Sequence, residues 1–278
     1  MMELYNYTCF ECSKIITKTY STSFSLGIRA FHKELHNPIY AIYGFVRYAD
    51  EIVDTFHDFD KVQMIRQFGL DTFEAIERKV SINPVLHAFQ QVVNQYHIDR
   101  NLIEAFLKSM EMDLEKVTYT PRLFNEYIYG SAEVVGLMCL KVFCNGQTDL
   151  YNSLLPNAQK LGAAFQKINF LRDIRSDFED KGRVYFPGID FLCFTEEDKK
   201  DIEADIKSDF DAALIGIRGL PRKSRAGVYV AYIYYLDLFY KIKDNPAKTL
   251  SSKRIRVSDK RKLWLMARAL FTERVIGI

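Results

Sequence analysis

The chain has 278 residues, of which 48% are hydrophobic and 27% charged, and 38 Lys and Arg nearly balance 36 Asp and Glu for a formal net charge of +2. This apolar content excludes a disordered chain, and the near-balance of charge argues against a nucleic-acid-binding protein, which usually carries a strong basic excess. A chain of this length buries a sizeable core without disulfides or metals, so we expect a soluble globular protein.

The N-terminal residues MMELYNYTCFECSK have no basic region followed by an apolar stretch, so we do not expect a secretory signal. The longest apolar runs, 134–144 and 228–240, are shorter than the ~20 residues that span a bilayer, and we interpret them as buried helices. The five cysteines are odd in number, and Cys9 and Cys12 have no second half-site, which predicts reduced thiols. These features favour a cytoplasmic protein.

Apolar residues recur at helical spacing between sparse prolines, for example at Ile65, Phe68, Ile76 and Val80, and again over residues 98–117. Alternating patterns typical of strands are missing, and the turn signal Asn145-Gly146 falls between two helix-like segments. We therefore predict an all-α fold of roughly ten helices, delimited mainly by the prolines. Because no Gly-, Ser- or Pro-rich linker divides the chain, residues 1–278 are expected to form a single domain.

The helix predicted over residues 38–53 is almost wholly apolar, yet one side of it is polar. Four residues at spacings of four, three and four share that face: Tyr43, Arg47, Asp50 and Asp54. Unpaired carboxylates in an apolar interior would cost several kcal/mol, so these aspartates need a compensating cation.

A second segment, beginning at Leu161, repeats this arrangement. Two amides and two carboxylates at spacings of three, four and four again share a face: Gln166, Asn169, Asp173 and Asp177. The small residues 162–164 would allow another helix to approach closely. The opposite side is expected to carry Phe165, Ile168 and Leu171.

Two carboxylate pairs that face each other across a cavity are typical of a site for hard divalent cations. Mg²⁺ takes oxygen ligands, keeps several waters and is usually completed by substrate phosphate oxygens. Such a site would stabilise a departing diphosphate by Lewis-acid catalysis. From spacing alone, two structural carboxylate–arginine networks remain the alternative.

The combined motifs resemble the squalene/phytoene synthase family over nearly the whole chain, and bacterial phytoene synthases most. They are Y-S-T-S-F-S at 20–25, Y-x-x-x-R-x-x-D-x-x-x-D at 43–54, Y-x-x-x-x-A-x-x-V-G at 127–136, Q-x-x-N-x-x-R-D-x-x-x-D at 166–177, and R-V-Y-F-P at 183–187. Ser176 departs from the family pattern, which often has an acid before the last aspartate. The resemblance implies an all-α helical bundle of the isoprenoid-synthase type around a central cavity.

The resemblance also implies roles for individual residues. The metal ligands would be Asp50, Asp54, Asn169, Asp173 and Asp177, holding Mg²⁺ with Mn²⁺ as the alternative metal. The substrate-binding residues would be Ser21, Ser23, Phe24, Arg47, Gln166, Asn169, Arg172, Arg183, Tyr185 and Arg254. The catalytic residues would be the four aspartates with Tyr43, Arg47, Tyr127 and Tyr235. Asp113 is a further acid expected near the first motif, and Phe165 joins the aromatic residues expected to stabilise cations.

The activity implied is the head-to-head condensation of two geranylgeranyl diphosphates to phytoene, through a cyclopropylcarbinyl diphosphate, in carotenoid biosynthesis. The alternatives are squalene or dehydrosqualene synthesis from two farnesyl diphosphates, a non-catalytic binding or assembly factor of the same family, and an unrelated helical scaffold. We do not expect NADPH, and the chain has no G-x-G-x-x-G dinucleotide fingerprint.

The expected partners are isoprenyl diphosphates, with no nucleic acid, in a monomer or homodimer. Because the products are very apolar, peripheral contact with the inner face of the membrane is a further expectation. A basic run would attract anionic lipid there, with a solvated or diphosphate-facing helix as the alternative: Lys253, Arg254, Arg256, Lys260, Arg261 and Lys262. The charged segment 196–211 is predicted to be a solvated helix face.

Overall fold

The computed structural model describes residues 1–114, 119–250, 252 and 254–275. Within these residues the regular structure is entirely helical, which confirms the predicted all-α class. The α-helices are α1 (Met2–Tyr20), α2 (Thr22–Arg29), α3 (His36–Asp54), α4 (Lys61–Arg78), α5 (Pro84–Tyr96), α6 (Arg100–Met112), α7 (Pro121–Ile128), α8 (Val134–Cys144), α9 (Thr148–Lys181), α10 (Glu196–Gly219), α11 (Arg222–Lys243), α12 (Ala247–Leu250) and α13 (Asp259–Val275). They exceed the predicted ten because short helices such as α2, α7 and α12 add to the long ones.

Local sequence explains where many helices begin and end. Side-chain oxygens cap helix N-termini at Ser21, Asp60, Asn83, Thr120 and Thr195. Proline occupies the first turn of α5 and α7, where its missing N–H costs no hydrogen bond. Asn145 and Gly146 both have positive φ and separate α8 from α9, as the turn signal predicts.

The prediction that prolines delimit the helices is wrong at one position, because α9 runs through Pro156 without a break. A proline inside a helix removes one hydrogen bond to the carbonyl four residues earlier, here that of Asn152. Asn152 is exposed, so water can satisfy its carbonyl. The predicted helix over 98–117 is also shorter than expected: α6 ends at Met112, and residues 115–118 lie outside the described residues.

A π-helical turn, Tyr129–Glu133, joins α7 to α8 and lies directly against α9. A Cβ at Gly162 would lie 2.7 Å from the carbonyl oxygen of Ala132, and one at Gly130 would lie 2.5 Å from that of Ala105. Two glycines therefore let this wider turn sit between α6 and α9. The predicted close approach at residues 162–164 is confirmed at Gly162.

One helical stretch among the described residues, Pro121–Cys144, is long and apolar enough to cross a membrane by length and composition. However, 56% of its most apolar window is buried inside the fold. Its core position agrees with the interpretation of residues 134–144 as a buried helix, and the second apolar run lies in α11.

The expectation that residues 196–211 form a solvated face is wrong for one side of α10. Lys199 and Glu203 are buried and paired with each other. Asp209 is 1% exposed and accepts hydrogen bonds from Lys160 (2.8 Å) and Lys167 (2.6 Å) of α9. Every third or fourth residue of α10 faces α9, so the helical period brings part of this charged segment into the interior.

Candidate active site

A cavity of about 690 Å³ lies between α2, α3, α8, α9 and α11. Its charged end is lined by Ser23, Arg47, Asp50, Asp54, Asn169, Arg172, Asp173, Asp177 and Arg254. Its apolar end is lined by Phe31, Ile39, Leu140, Phe143, Leu154, Ile217, Leu220, Gly227 and Val228. Leu154 and Asp173 are nineteen residues apart on α9, or ~28 Å at 1.5 Å per residue, so the two ends are far apart.

Helix α3 places its four predicted residues along this cavity, as the spacing indicates. Arg47 pairs with Glu51, and its Nη1 lies 3.9 Å from Oδ2 of Asp50. The guanidinium also covers the ring of Tyr20 at 4.3 Å. Its Nε is buried without a hydrogen-bond partner among the described residues, which leaves one donor for an oxygen of a bound anion.

Tyr43 lies deeper on the same face of α3, against Phe24 at a centroid distance of 5.0 Å. Burial raises its pKa to about 12, and the nearby side chain of Ser21 partly offsets this rise. Ser21 itself does not line the cavity, since its oxygen caps α2 by accepting from the amide of Phe24. The Y-S-T-S-F-S motif therefore starts α2 and supports Tyr43, while Ser23 and Phe24 face the cavity.

Helix α9 supplies the second carboxylate pair, and two arginines hold Asp173. The Nε of Arg172 donates to Oδ1 of Asp173 at 3.0 Å, and the Nε of Arg254 lies 2.6 Å from the same oxygen. Arg254 comes from the segment that precedes α13, and it reaches the second motif through this contact. Gln166, Asn169 and Asp177 line the cavity beside it.

The donor set suits a cation that is only partly bound by protein. Among the described residues, no group of three or more His, Cys, Asp and Glu side chains is close enough to hold a metal ion. The oxygen donors come instead from two separate carboxylate pairs, with the amide oxygen of Asn169 beside the second. This chemistry fits Mg²⁺ or Mn²⁺, whose remaining positions are filled by water and substrate phosphate oxygens.

Asp113 has a larger role in the structure than its sequence position indicates. Its Oδ2 accepts from the hydroxyl of Tyr127 at 2.7 Å, and its Oδ1 accepts from Arg183 at 3.1 Å and Tyr185 at 3.3 Å. Burial raises the pKa of both tyrosines, so both remain protonated donors. Arg183, expected to bind diphosphate, lies on Asp113 and outside the cavity lining.

The aromatic lining differs from the sequence expectation at Phe165. The helix-face prediction places it opposite Asn169, whereas its expected role in stabilising cations places it in the cavity. It lines the cavity and stacks on Tyr235 with ring centroids 3.9 Å apart. Four residues turn a helix by about 40° beyond one full circle, so Phe165 and Asn169 share a face. The hydroxyl of Tyr235 in turn donates to Oδ1 of Asn169 at 3.5 Å. Ile168 and Leu171 are buried elsewhere.

The apolar end is formed by residues that no motif in the sequence identifies. Phe31 packs on Phe143 at a centroid distance of 5.2 Å. A Cβ at Gly227 would lie 2.2 Å from the Phe31 ring, so this ring rests directly on the backbone of α11. Cys139 faces the cavity from α8, and burial raises the pKa of its thiol to about 12.

Comparison with known proteins identifies the family to which the chain belongs. Residues 17–261 match the profile of a family described as squalene/phytoene synthase. The chain is 26% identical over 202 residues to 4,4'-diapophytoene synthase of Staphylococcus haemolyticus (70% of this chain, 67% of the relative). It is 28% identical over 282 residues to chloroplastic phytoene synthase 1 of Solanum lycopersicum (91% and 65%). The chain thus spans about two thirds of the length of these relatives.

Solved structures show the same fold. A dehydrosqualene synthase crystallised with a ligand superimposes with a TM-score of 0.81 at 22% identity, covering 97% of this chain and 98% of that one. A squalene synthase from Alicyclobacillus acidocaldarius superimposes with a TM-score of 0.75 at 18% identity, covering 86% and 95%. At these identities the likeness establishes the all-α architecture alone.

Proposed function

Because the chain belongs to the squalene/phytoene synthase family, we propose that it joins two geranylgeranyl diphosphates head to head, giving phytoene and two diphosphates. The observation that carries this proposal is the cavity itself. Two carboxylate pairs and three arginines occupy its charged end, and the rest of its lining is largely apolar. An anionic head group with a long hydrocarbon tail matches both ends.

Binding at the charged end is an exchange of partners. Arg172 and Arg254 now hold Asp173, and Arg47 holds Glu51. A diphosphate would draw these guanidinium groups onto its own oxygens through charge-assisted hydrogen bonds. The carboxylates of the two pairs, with Asn169, would then hold Mg²⁺ or Mn²⁺, which supplies Lewis-acid stabilisation of the departing diphosphate.

The chemistry consists of two ionisations. The C–O bond of one substrate breaks, diphosphate leaves with the electron pair, and the double bond of the second substrate attacks the allylic cation. Loss of a proton closes the cyclopropane of a cyclopropylcarbinyl diphosphate. Loss of the second diphosphate, rearrangement and loss of another proton give the conjugated triene. NADPH is not required, because no step is a reduction.

The cavity wall protects and stabilises these cations. An apolar lining excludes water, which would otherwise capture the cation. The ring pairs Phe165–Tyr235 and Phe24–Tyr43 present aromatic faces that attract positive charge, worth ~1–2 kcal/mol each when desolvated. Burial raises the pKa of Tyr43 and Tyr235, so their phenols stay neutral and act as donors to oxygen at physiological pH.

The length of the cavity accommodates the longer substrate. The ~28 Å between Asp173 and Leu154 approaches the ~30 Å hydrocarbon thickness of a bilayer, which holds two extended lipid chains end to end. A twenty-carbon chain can therefore lie along it. The relative named 4,4'-diapophytoene synthase favours a second candidate, the same condensation of two fifteen-carbon farnesyl diphosphates.

A product assay tests both candidates. Purified protein would be incubated with Mg²⁺ and either geranylgeranyl or farnesyl diphosphate, with and without NADPH, and the hydrocarbon identified by mass spectrometry. We expect phytoene from the longer substrate without NADPH. A thirty-carbon product alone would support the second candidate. If a folded protein releases neither hydrocarbon nor diphosphate, the catalytic proposal fails and a binding or assembly role replaces it.

A further inference from the structure

Helix α13 has two faces of different character. Leu265 and Ala269, 3% and 2% exposed, pack toward the body of the protein against α11 and α2. Leu263, Trp264 and Phe271 are 52%, 49% and 65% exposed. Residues three, four, seven and eight positions apart lie on one side of a helix, so these three form a continuous apolar stripe on the outer face.

Basic side chains surround this stripe. The guanidinium of Arg261 lies 4.6 Å from the Trp264 ring centroid and that of Arg268 lies 5.4 Å from it. Lys260 is exposed one turn earlier on the same side. The acids among the described side chains of α13 are Asp259, at its first residue, and Glu273, which is half-buried. The outer face is therefore apolar and positively charged.

The basic run expected to attract lipid does not act as one exposed patch. Arg254 is engaged by Asp173 and Arg261 by Asp237 at 2.6 Å, while Lys262 contacts Asp259 and Thr22. Lys253 lies outside the described residues. The positive charge that faces outward beside Trp264 is instead that of Lys260 and Arg268.

Another exposed apolar stripe provides a comparison. On α1, Leu4, Tyr7 and Ile15 are 69%, 61% and 62% exposed. That helix carries two acids, Glu3 and Glu11, and two lysines, Lys14 and Lys18, so its charges balance and its apolar residues lack a net positive border. Net positive charge therefore distinguishes the outer face of α13 from that of α1, and it favours an anionic surface as the partner of α13.

We propose that the outer face of α13 docks in the plane of a bilayer that contains anionic phospholipid. Aromatic rings and arginine stems favour the level of the head groups, and each Lys or Arg near such a surface adds electrostatic attraction. On the inner side, Lys262 contacts Thr22 and faces the ring of Tyr234, which lines the cavity. Docking would thus place lipid about one helix diameter (~10 Å) from the cavity that releases an apolar product.

The single tryptophan makes a direct test available, because all tryptophan fluorescence comes from Trp264. The full chain would be titrated with phosphatidylcholine vesicles with and without phosphatidylglycerol, without substrate. We expect a blue shift and co-sedimentation with the anionic vesicles, both weakened by salt. No shift and no co-sedimentation with anionic vesicles would overturn the proposal, as would binding of equal strength to neutral vesicles.

Variants separate the apolar and the charged contributions. L263S/F271S should lower vesicle partitioning at least tenfold, and K260Q/R268Q should lower it about fivefold per charge. The matched control I215S/K200Q alters exposed residues of α10 and should partition as the wild type does. Equal loss in the control would overturn the assignment to α13. Circular dichroism checks that each variant is folded.

Self-association and catalysis are tested separately from docking. A blue shift that rises with protein concentration in the absence of vesicles would show that a second copy covers this face, and it would overturn the membrane assignment. Turnover measured with detergent-dispersed substrate should be unchanged in L263S/F271S. If the wild type binds vesicles but makes no hydrocarbon, docking stands and the proposed catalysis fails, so the two are distinguishable.

Discussion

The charged and apolar ends of the cavity are built in different ways. The charged end comes mainly from residues three or four positions apart on α3 and α9, so each helix by itself places its charged residues on one face. The apolar end comes from single residues of separate helices, such as Phe31, Phe143 and Gly227, that meet only when the chain folds. The first kind of site is encoded in local spacing, whereas the second depends on tertiary packing. The two ends should therefore respond differently to substitution.

The largest effect should follow from neutralising the charged end. Asp50→Asn removes one carboxylate of the first pair. We expect turnover to fall about 10²–10³-fold, because the metal ion that would stabilise the departing diphosphate loses one of its proposed ligands. Thermal stability should change little, since Asp50 is half-buried and its neighbours include Asp54. Hydrocarbon formation under saturating substrate measures the effect.

The matched control for this change is Asp201→Asn, on the exposed side of α10. It carries the same chemical change outside the cavity and should retain full activity. If Asp50→Asn kept more than about a tenth of the wild-type turnover, the carboxylates would be structural.

The next effect concerns stability. Asp113→Ala would leave the Arg183 guanidinium, whose side chain is 13% exposed, without its carboxylate, and would strand two buried hydroxyls. We expect the free energy of unfolding to fall by about 3 kcal/mol, at the lower end of the cost of breaking a buried pair. Urea denaturation measures it, and an unchanged midpoint would mean that this cluster contributes nothing to stability.

A smaller effect should follow at the apolar end. Phe31→Ala removes the ring that rests on Gly227, so the cavity deepens and the longer substrate gains room. We expect the ratio of kcat/KM for geranylgeranyl over farnesyl diphosphate to rise about tenfold, since a change of pocket size discriminates by 10–200-fold. Phe73→Ala on α4, where the ring contacts Arg100, is the control. A ratio that moves equally in both variants would place the end of the cavity elsewhere.

The last effect concerns stability and is seen only in alkali, where buried tyrosines ionise. Burial raises the pKa of Tyr43, Tyr151 and Tyr232 to about 12. Because an unfolded tyrosine ionises near pH 10, the unfolded state loses protons first as the pH rises. The free energy of unfolding should be constant below about pH 10 and should decrease between about pH 10 and pH 12. Chemical denaturation at each pH measures it. Tyr43→Phe should reduce that decrease.

Much of the fold and of the charged end was predictable, and the reasons are physical. Helical periodicity and caps are local, so the all-α class, the carboxylate faces and the Asn145–Gly146 turn followed from spacing. The resemblance identifies Arg254, although α10, α11 and α12 lie between it and α9 in the chain. Phe165 was misplaced although its position relative to Asn169 was already visible in the helical period.

Other features could not be read locally. Pro156 remains inside α9 because the one carbonyl it leaves unpaired belongs to an exposed residue, which depends on tertiary environment. Asp209 is buried because two lysines of α9 reach it across the interface. Asp113 gathers Tyr127, Arg183 and Tyr185 from distant parts of the sequence, and no spacing rule connects them.

The thiol of Cys139 has a consequence for the lifetime of the protein. Oxidants and alkylating reagents such as iodoacetamide attack cysteine through its thiolate. With its pKa raised to about 12, only about one molecule in 10⁵ carries the thiolate at pH 7. The same apolar packing that shapes the wall therefore keeps this sulfur protonated, so the wall of the cavity resists oxidation and chemical modification at Cys139.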